Sequence, residues 1–197
     1  MGHFAAAGEV LATGLLMGGV THRSPNLRVA LLEGGAVNGT RLYGDIVGRW
    51  NKRNPSGLEN RNPANIDLKK AHELFERYGD DRTLAKLEQL PSTLGVGDHD
   101  IPQDVRDDFD AMGVAKVEDI RDRFIPNFYF GCEADDATNT WAFNERVNPF
   151  GARLRAVFGS DVGHFDVQDM AGVLPEAYEL VCLLYTSPSP RDLSTSR

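Results

Sequence analysis

Residues 154–169 read LRAVFGSDVGHFDVQD, and this stretch decides the predicted fold. It begins as an apolar run that ends at Phe158 and has the β-branched and aromatic content of a buried strand. A Gly-Ser pair then ends the run, and Asp161 and His164 follow closely. In a parallel α/β fold, buried strands provide packing while their carboxyl ends face the ligand. We therefore expect Asp161 to be the principal functional residue.

Two further stretches share this pattern of an apolar run followed by glycine and acid. The segment LRVALLEGG predicts a strand over residues 27–32, followed by Glu33. The segment FYFGCEADD predicts a strand over residues 128–130, followed by Glu133 and two aspartates. Because the carboxyl ends of parallel strands share one edge of a sheet, these acids should meet there. Three acidic strand ends together predict a site for a cation or a metal ion.

Helical patterns separate the three predicted strands. Apolar residues recur at helical spacing over residues 4–17 and 42–52, and further helices are predicted over residues 138–146 and 170–181. Residues 55–126 are highly charged and contain short amphipathic segments, which indicates a helical insertion beside the main body and not a separate domain. Strands that alternate with helices favour parallel βαβ units, so the predicted fold class is α/β.

Composition excludes several kinds of partner. The chain has 197 residues, of which 41% are hydrophobic and 25% charged, and this is typical of a soluble globular protein. A formal net charge of -8 argues against nucleic acid or an anionic membrane surface as a partner. No apolar run reaches the length of a membrane span. The N-terminal stretch contains Glu9 and lacks a basic leader, so it does not fit a signal peptide.

The C-terminal tail has an unusual sequence. Residues 182–192, CLLYTSPSPRD, correspond codon for codon to the frame translation of a common transposase sequencing adaptor. We therefore expect residues 182–197 to be non-native and the natural chain to continue past Val181, the alternative being a Pro/Ser-rich tail. Without this tail Cys132 is the only cysteine, which favours a reducing, cytoplasmic location. Cys132 has no basic neighbour in the sequence and is expected to be a small buried side chain.

Five segments together resemble the amidohydrolase superfamily, in the branch related to aminocarboxymuconate semialdehyde decarboxylase: GHFAAAGE, LLMGGVTHRSPNLRVALLEGG, FYFGCEADD, NPFGARLRAVFGSDVGHFDV and VLPEAYELV. The resemblance covers nearly all of residues 2–181 apart from the middle of the insertion. It implies a distorted (β/α)8 barrel, of which this chain would contain about the sixth to the eighth strand. It also implies a mononuclear divalent metal, expected to be zinc, and either hydrolysis or non-oxidative decarboxylation.

The resemblance assigns roles to individual residues. Asp161 matches the last-strand aspartate, which binds the metal and orients or deprotonates its water, so it is expected to be both a metal ligand and catalytic. Glu33 stands where close relatives often carry a histidine, and its carboxylate could hydrogen-bond the metal water. His164, His3 and Glu133 are expected to contact substrate. The alternatives are a helix N-cap for Asp161, loop packing for His164 and a satisfied buried carboxylate for Glu33.

The paired histidines, H-x-H, that this family carries on its first strand are absent. A (β/α)8 barrel needs about 250 residues, so we expect the chain to be a C-terminal fragment with its remaining metal ligands upstream. Catalytic metal sites typically use about three protein ligands, and the fragment should therefore be inactive. The parent enzyme, a possible homo-oligomer, would act on a small carboxylated or ring-derived molecule. The alternative is a metal-free binding or interaction module, which the glutamate at position 33 favours and an upstream H-x-H would exclude.

Overall fold

The computed structural model describes residues 3–59, 62–94 and 107–186. The chain forms two compact units, Met1–Trp50 with Phe109–Arg197, and Asn51–Asp108. The strands are β1 (Val29–Leu31), β2 (Phe128–Cys132) and β3 (Arg155–Phe158). The α-helices are α1 (His3–Met17), α2 (Val20–Arg23), α3 (Ala36–Arg53), α4 (Pro55–Glu59), α5 (Leu68–Tyr78), α6 (Asp81–Leu84), α7 (Leu90–Thr93), α8 (Glu118–Phe124) and α9 (Val173–Thr186). Short 3-10 helices cover Pro63–Asn65, Leu87–Gln89, Asp110–Met112, Ala137–Phe143 and Pro149–Gly151.

The first unit contains a three-stranded parallel sheet with the strand order β1-β2-β3. Val29 pairs with Phe128, and Tyr129 pairs with Arg155. The mixed α/β class predicted from the sequence is therefore confirmed. Strand β1 is shorter than predicted, because the backbone at residue 27 belongs to a turn in which its N–H donates to the carbonyl of Ser24. Strand β2 is longer than predicted and continues to Cys132.

One face of the sheet is covered by helices and forms the hydrophobic core. Phe128 and Phe130 of β2 are buried, and the ring of Phe124 from α8 lies 5.1 Å from the ring of Phe128. The predicted apolar face of α3 is buried in the same core, which confirms that prediction; it consists of Leu42, Ile46, Val47 and Trp50. The Tyr43 hydroxyl, also on α3, donates to the carbonyl of Pro149 at 3.1 Å. Helix α3 and the sheet therefore share one apolar interior.

The opposite face of the sheet has no covering layer among the described residues. Ala30 on β1 and Arg155 on β3 are exposed, and Val157, two residues after Arg155 on the same face of β3, is 38% exposed. The prediction that β3 is a buried strand is therefore wrong, and Phe158 at its end is 44% exposed. Burial needs a second layer, and parallel sheets ordinarily have one on each face. Here helices cover one face only.

The chain between β2 and α9 is less helical than the sequence pattern predicts. Residues 138–146 do not form an α-helix; the 3-10 helix Ala137–Phe143 occupies most of this range. The Asn148 side chain donates to the carbonyls of Trp141 and Ala142, and this contact ends the helix. Helix α9 begins at Val173, three residues later than predicted.

The second unit is a small set of helices. Asp67 caps α5 by accepting a hydrogen bond from the Lys70 backbone N–H at 2.9 Å, and Asp80 caps α6 in the same way through Thr83 at 2.8 Å. Among the described residues of this unit, Leu90 is the one hydrophobic residue that is buried. In the described parts of both units, no helix combines the length and apolar content that crossing a bilayer requires.

Candidate metal centre

The loops that follow the three parallel strands begin at the carboxyl edge of the sheet, and Glu133 belongs to the loop after β2. Burial raises the pKa of the Glu133 carboxyl group, and the negative charges of Glu33, Asp135, Asp161 and Asp166 raise it further. Charges act on a neighbour in this way only when they are close to it. The acidic groups after β2 and β3 line one cleft at this edge, as their positions after parallel strands predict, whereas Glu33 after β1 does not line it.

The tightest group at this edge consists of Asp161, His164 and Asp166. The Nδ1 atom of His164 lies 3.1 Å from Oδ2 of Asp161 and 2.8 Å from Oδ1 of Asp166. One possible ligand atom from each of the three side chains lies within 4.8 Å of the others. Asp161 is the least exposed of the three, with 34% of its side chain accessible. Carboxylate oxygens and imidazole nitrogens are the donors that zinc accepts in proteins.

The backbone at Asp161 explains how three close residues reach one point. Asp161 has a φ of 50°, in the left-handed region that non-glycine residues rarely adopt, although aspartate is among those that tolerate it. The N–H of His164 donates to the Asp161 carbonyl at 3.1 Å and closes a tight turn. Glu33, at the end of β1, has a φ of 61°. Strained backbone of this kind is concentrated at functional sites in proteins.

The two aspartates change the acid–base behaviour of His164. The charge of Asp161 is the largest cause of a raised His164 pKa, and the hydrogen bond to Asp166 adds to it. Both aspartates interact with the same nitrogen, Nδ1, which donates its proton to them when the ring is charged. A metal ion binds the neutral imidazole, so an ion at this point would compete with the proton.

Asp161 and Asp166 line one side of an open cleft of about 520 Å³, whereas His164 is not among its lining residues. The lining residues are Glu133, Ala134, Asp135, Ser160, Asp161, Asp166, Val167, Gln168, Asp169, Val173 and Glu176. Among the described residues that line it, none is a lysine or an arginine. Asp169 also lines the cleft but does not belong to the group of Asp161, His164 and Asp166. Its carboxylate accepts a hydrogen bond from the Ala171 N–H at 3.0 Å.

Asn139 holds the loops at this edge together, and it was not predicted from the sequence. Its side chain is buried, donates from Nδ2 to the Glu133 carbonyl at 2.8 Å, and accepts at Oδ1 from the Ala36 N–H at 3.4 Å. The loop after β2 is thereby tied to the first turn of α3. Ala36 lies far from Asn139 in the sequence, so no local pattern could reveal this contact. Asp166 was also given no role, although its position two residues after His164 in an acidic stretch is a usable signal.

Glu33 and His3 lie further from the group. Glu33 is exposed and does not line the cleft, although its charge reaches Glu133. His3 is the first residue of α1, whose start packs beside the loop after β1: a Cβ atom at Gly34 would lie 3.4 Å from the Cα of Ala5. In the described part of the chain, His3 makes no hydrogen bond or ion pair. His3 therefore begins a helix whose first turns pack against the loop after β1.

Cys132, the last residue of β2, and Asp136, in the loop after it, are explained by local structure. The Asp136 carboxylate accepts a hydrogen bond from the Thr138 N–H at 2.9 Å and caps the following 3-10 helix. Burial raises the pKa of the Cys132 thiol, and the Asp136 charge adds to this, so the thiolate is disfavoured. A nucleophilic role for Cys132 is correspondingly not supported.

The fold and the site define a class of protein: a mixed α/β protein whose small parallel sheet carries an acidic carboxyl edge with an Asp/His/Asp group. The chain matches no family model, no curated protein and no solved structure. Its function therefore has to be inferred from the geometry of this edge.

Proposed function

We propose that this chain is the metal-binding part of an amidohydrolase-type enzyme, either a hydrolase or a non-oxidative decarboxylase of a small carboxylated or ring-derived substrate. The observation that carries the proposal is the group of Asp161, His164 and Asp166, whose possible ligand atoms lie within 4.8 Å of one another at the end of β3. Aspartate and histidine are ligand types that catalytic zinc sites use, and in the parent enzyme this group would supply part of the ligand set. Further ligands would come from strands that this chain does not contain.

The arrangement of the sheet supports a partial barrel. Its strands are parallel and adjacent in sequence order, with helices on one face and an open face opposite. In a (β/α)8 barrel the helices form the outer layer, and the inner face of each strand is covered by the other strands. We infer that the open face corresponds to the interior of such a barrel and that β1, β2 and β3 correspond to about its sixth, seventh and eighth strands.

Each acidic residue has a chemical role in this proposal. A divalent ion supplies Lewis acidity, which polarises a carbonyl group or activates water. Asp161, the least exposed member of the group, would hold the ion and orient the nucleophile, and the Glu33 carboxylate would accept a hydrogen bond from the metal water. The raised pKa of Glu133 keeps its proton available closer to neutral pH, which suits transfer of a proton to the departing group. His164 contacts substrate or completes the ligand set.

Metal titration tests this proposal directly. Zinc is added to the metal-free chain, and binding is measured by isothermal titration calorimetry and by metal analysis after dialysis. We expect one zinc ion per chain, with binding weakened about tenfold or more by Asp161→Asn, because a ligand is lost. Asp169→Asn is the matched control, since it removes the same charge from the same cleft outside the group. We expect it to change the affinity less than about twofold.

Two results would contradict the proposal: zinc binding that is absent or well below one ion per chain, and equal weakening by the two substitutions. Equal weakening would mean that the cleft attracts cations only through its overall negative charge. Circular dichroism of both variants establishes that they are folded. We expect no turnover by the chain alone, because a catalytic site also needs the ligands of the other strands.

A metal-free binding module is the second candidate, and one observation favours it. Nδ1 of His164 lies 3.1 Å from Asp161 and 2.8 Å from Asp166, so a protonated imidazole would neutralise part of their charge without an ion. Measuring zinc affinity against pH separates the two candidates. A metal site gains affinity as pH rises through the raised His164 pKa, whereas the metal-free module shows no stoichiometric zinc binding even where the imidazole is neutral.

A further inference from the structure

A contact between an imidazole ring and a guanidinium group joins two helices of the first unit. Nη1 of Arg123 on α8 lies 2.7 Å from Nδ1 of His22 on α2. Nη2 of the same arginine donates to the carbonyl of Gly113 at 2.7 Å. Arg123 therefore fastens α8 both to α2 and to the turn that ends the 3-10 helix Asp110–Met112.

This contact decides which nitrogen of the His22 ring carries the proton. A guanidinium group has N–H donors and no acceptor, so Nδ1 of His22 is the acceptor. The neutral ring then holds its proton on Nε2. In the doubly protonated ring both nitrogens are donors, and no orientation of that ring offers an acceptor to Arg123. The hydrogen bond therefore exists only while His22 is neutral.

The backbone of Gly113 limits how far the ring can move. Gly113 has a φ of 60°, and a Cβ atom there would lie 2.7–3.0 Å from three atoms of the His22 ring. The ring thus packs directly against the glycine while its Nδ1 faces Arg123. Arg123 is restrained as well, because its Nε atom is buried. A charged ring would therefore stay close to the guanidinium group unless the contact between α2 and α8 opened.

No ion pair with a carboxylate offsets the repulsion between these two groups. Among the described residues, neither His22 nor Arg123 forms an ion pair with an aspartate or a glutamate. The carboxylate of Asp119 on α8 accepts hydrogen bonds from the N–H groups of Ala115 and Lys116 at 2.9 Å and 3.1 Å. The charges of Asp119 and Arg123 interact without such a pair.

The other charged side chains on the elements packed against α2 form no hydrogen bond or ion pair with the His22 ring. Helix α1 carries no charged residue between Glu9 and its end at Met17. The remaining groups on α2, the 3-10 helix and α8 with the residues before it are Arg23, Asp110, Lys116, Glu118, Arg121 and Asp122. The charge state of His22 is therefore coupled most directly to Arg123, and two positive charges this close repel each other.

We propose that His22 and Arg123 form a pH-dependent latch, which is closed while the imidazole is neutral and opens when it is protonated. Histidine is the side chain whose charge ordinarily changes between about pH 5 and 8. The closed latch stabilises the fold at neutral pH, and this contribution is lost as pH falls. The pair of His164 with two carboxylates acts in the opposite direction.

Urea unfolding of the full chain at about pH 7.5 and about pH 5 tests the proposal. EDTA is present, so that the outcome does not depend on metal binding. His22→Asn places an amide oxygen near the position of Nδ1, so it keeps an acceptor for Arg123 but does not titrate. We expect similar midpoints for the two chains at the higher pH, and a midpoint lower by about 0.5 M urea or more for the unsubstituted chain at the lower pH. The contribution of His164 cancels, because both chains contain it.

Two arginine substitutions provide the matched comparison. Arg123→Met removes the guanidinium group that faces the ring, and in this background the difference between the chains with and without His22→Asn should no longer depend on pH. Arg23→Met removes a guanidinium group next to His22 in the sequence, which donates to the Gly18 carbonyl and not to the ring. In that background the pH-dependent difference should persist.

Nitrogen NMR of the His22 ring gives a readout on the unsubstituted chain, which decides the matter if a variant does not fold. We expect the proton on Nε2 and none on Nδ1 at about pH 7.5. A proton on Nδ1 at that pH overturns the proposal. So do parallel pH profiles for the unsubstituted chain and His22→Asn, or a pH-dependent difference that survives Arg123→Met.

Discussion

Replacing Gly39 with alanine should destabilise the protein, although alanine favours helices. Gly39 is buried in α3, and a Cβ atom there would lie 2.6–2.7 Å from three atoms of the Phe130 ring. Ordinary carbon contacts are about 3.5–4.0 Å, so about 1 Å of space would have to open. Phe130 cannot move away easily, because it is 4% exposed and stacked at 5.9 Å on Phe124.

Two effects of opposite sign decide the magnitude. Alanine gains about 1 kcal/mol over glycine in a helix interior, whereas overpacking a core typically costs about 1–3 kcal/mol. The Phe130 contact lies at the centre of the core, where the upper part of that range applies, and we expect a net loss of about 1–2 kcal/mol. Gly44→Ala is the matched control in the same helix. Nothing lies within 4 Å of its added Cβ, so it should stabilise the protein by about 0.5–1 kcal/mol.

Urea unfolding measures both variants, followed by the fluorescence of Trp50, which is 6% exposed in the core of the first unit. The midpoints should move in opposite directions while the slopes stay constant. If Gly39→Ala proves as stable as Gly44→Ala, α3 does not lie as close to Phe130 of β2 as the structure describes. The loop that contains Glu33 connects β1 to α3, so its position relative to the loop after β2 would then differ as well.

Two further predictions concern the pH dependence of this edge. In an NMR titration His164 should have a midpoint above 6.5, and Asp161→Asn should lower it, because the Asp161 charge is the main cause of the raised pKa. The ion pair of His164 therefore stabilises the fold below pH 6.5, and this contribution disappears as pH rises through the raised pKa. Glu133→Gln should stabilise the protein where Glu133 is ionised, and the gain in urea midpoint should vanish below pH 4.5, where the unfolded chain is protonated too. If Glu133→Gln raised the urea midpoint by the same amount at all pH values, repulsion between Glu133 and the neighbouring carboxylates would not be the cause.

Local patterns in the sequence predict the elements well where burial follows from periodicity. The apolar face of α3 repeats at helical spacing, and every residue of that face is buried. Helix α1 ends at Met17 before a pair of glycines, and Gly19 has a φ of 72° that suits glycine. The carboxyl ends of β1, β2 and β3 share one edge because parallel strands leave no other arrangement, so the presence of Glu133 and Asp161 in one cleft there was also predictable.

The sequence by itself thus determined the α/β class, the order of strands and helices and the acidic edge, because these depend on residues close together in the chain. Only the tertiary structure decided that β3 is exposed, since burial of a strand depends on layers that its own residues do not encode. Only the tertiary structure joined Asn139 to Ala36, and only the left-handed turn at Asp161 brought His164 and Asp166 to one point. Contacts at 3 Å depend on backbone angles and on distant partners, and a sequence pattern specifies neither.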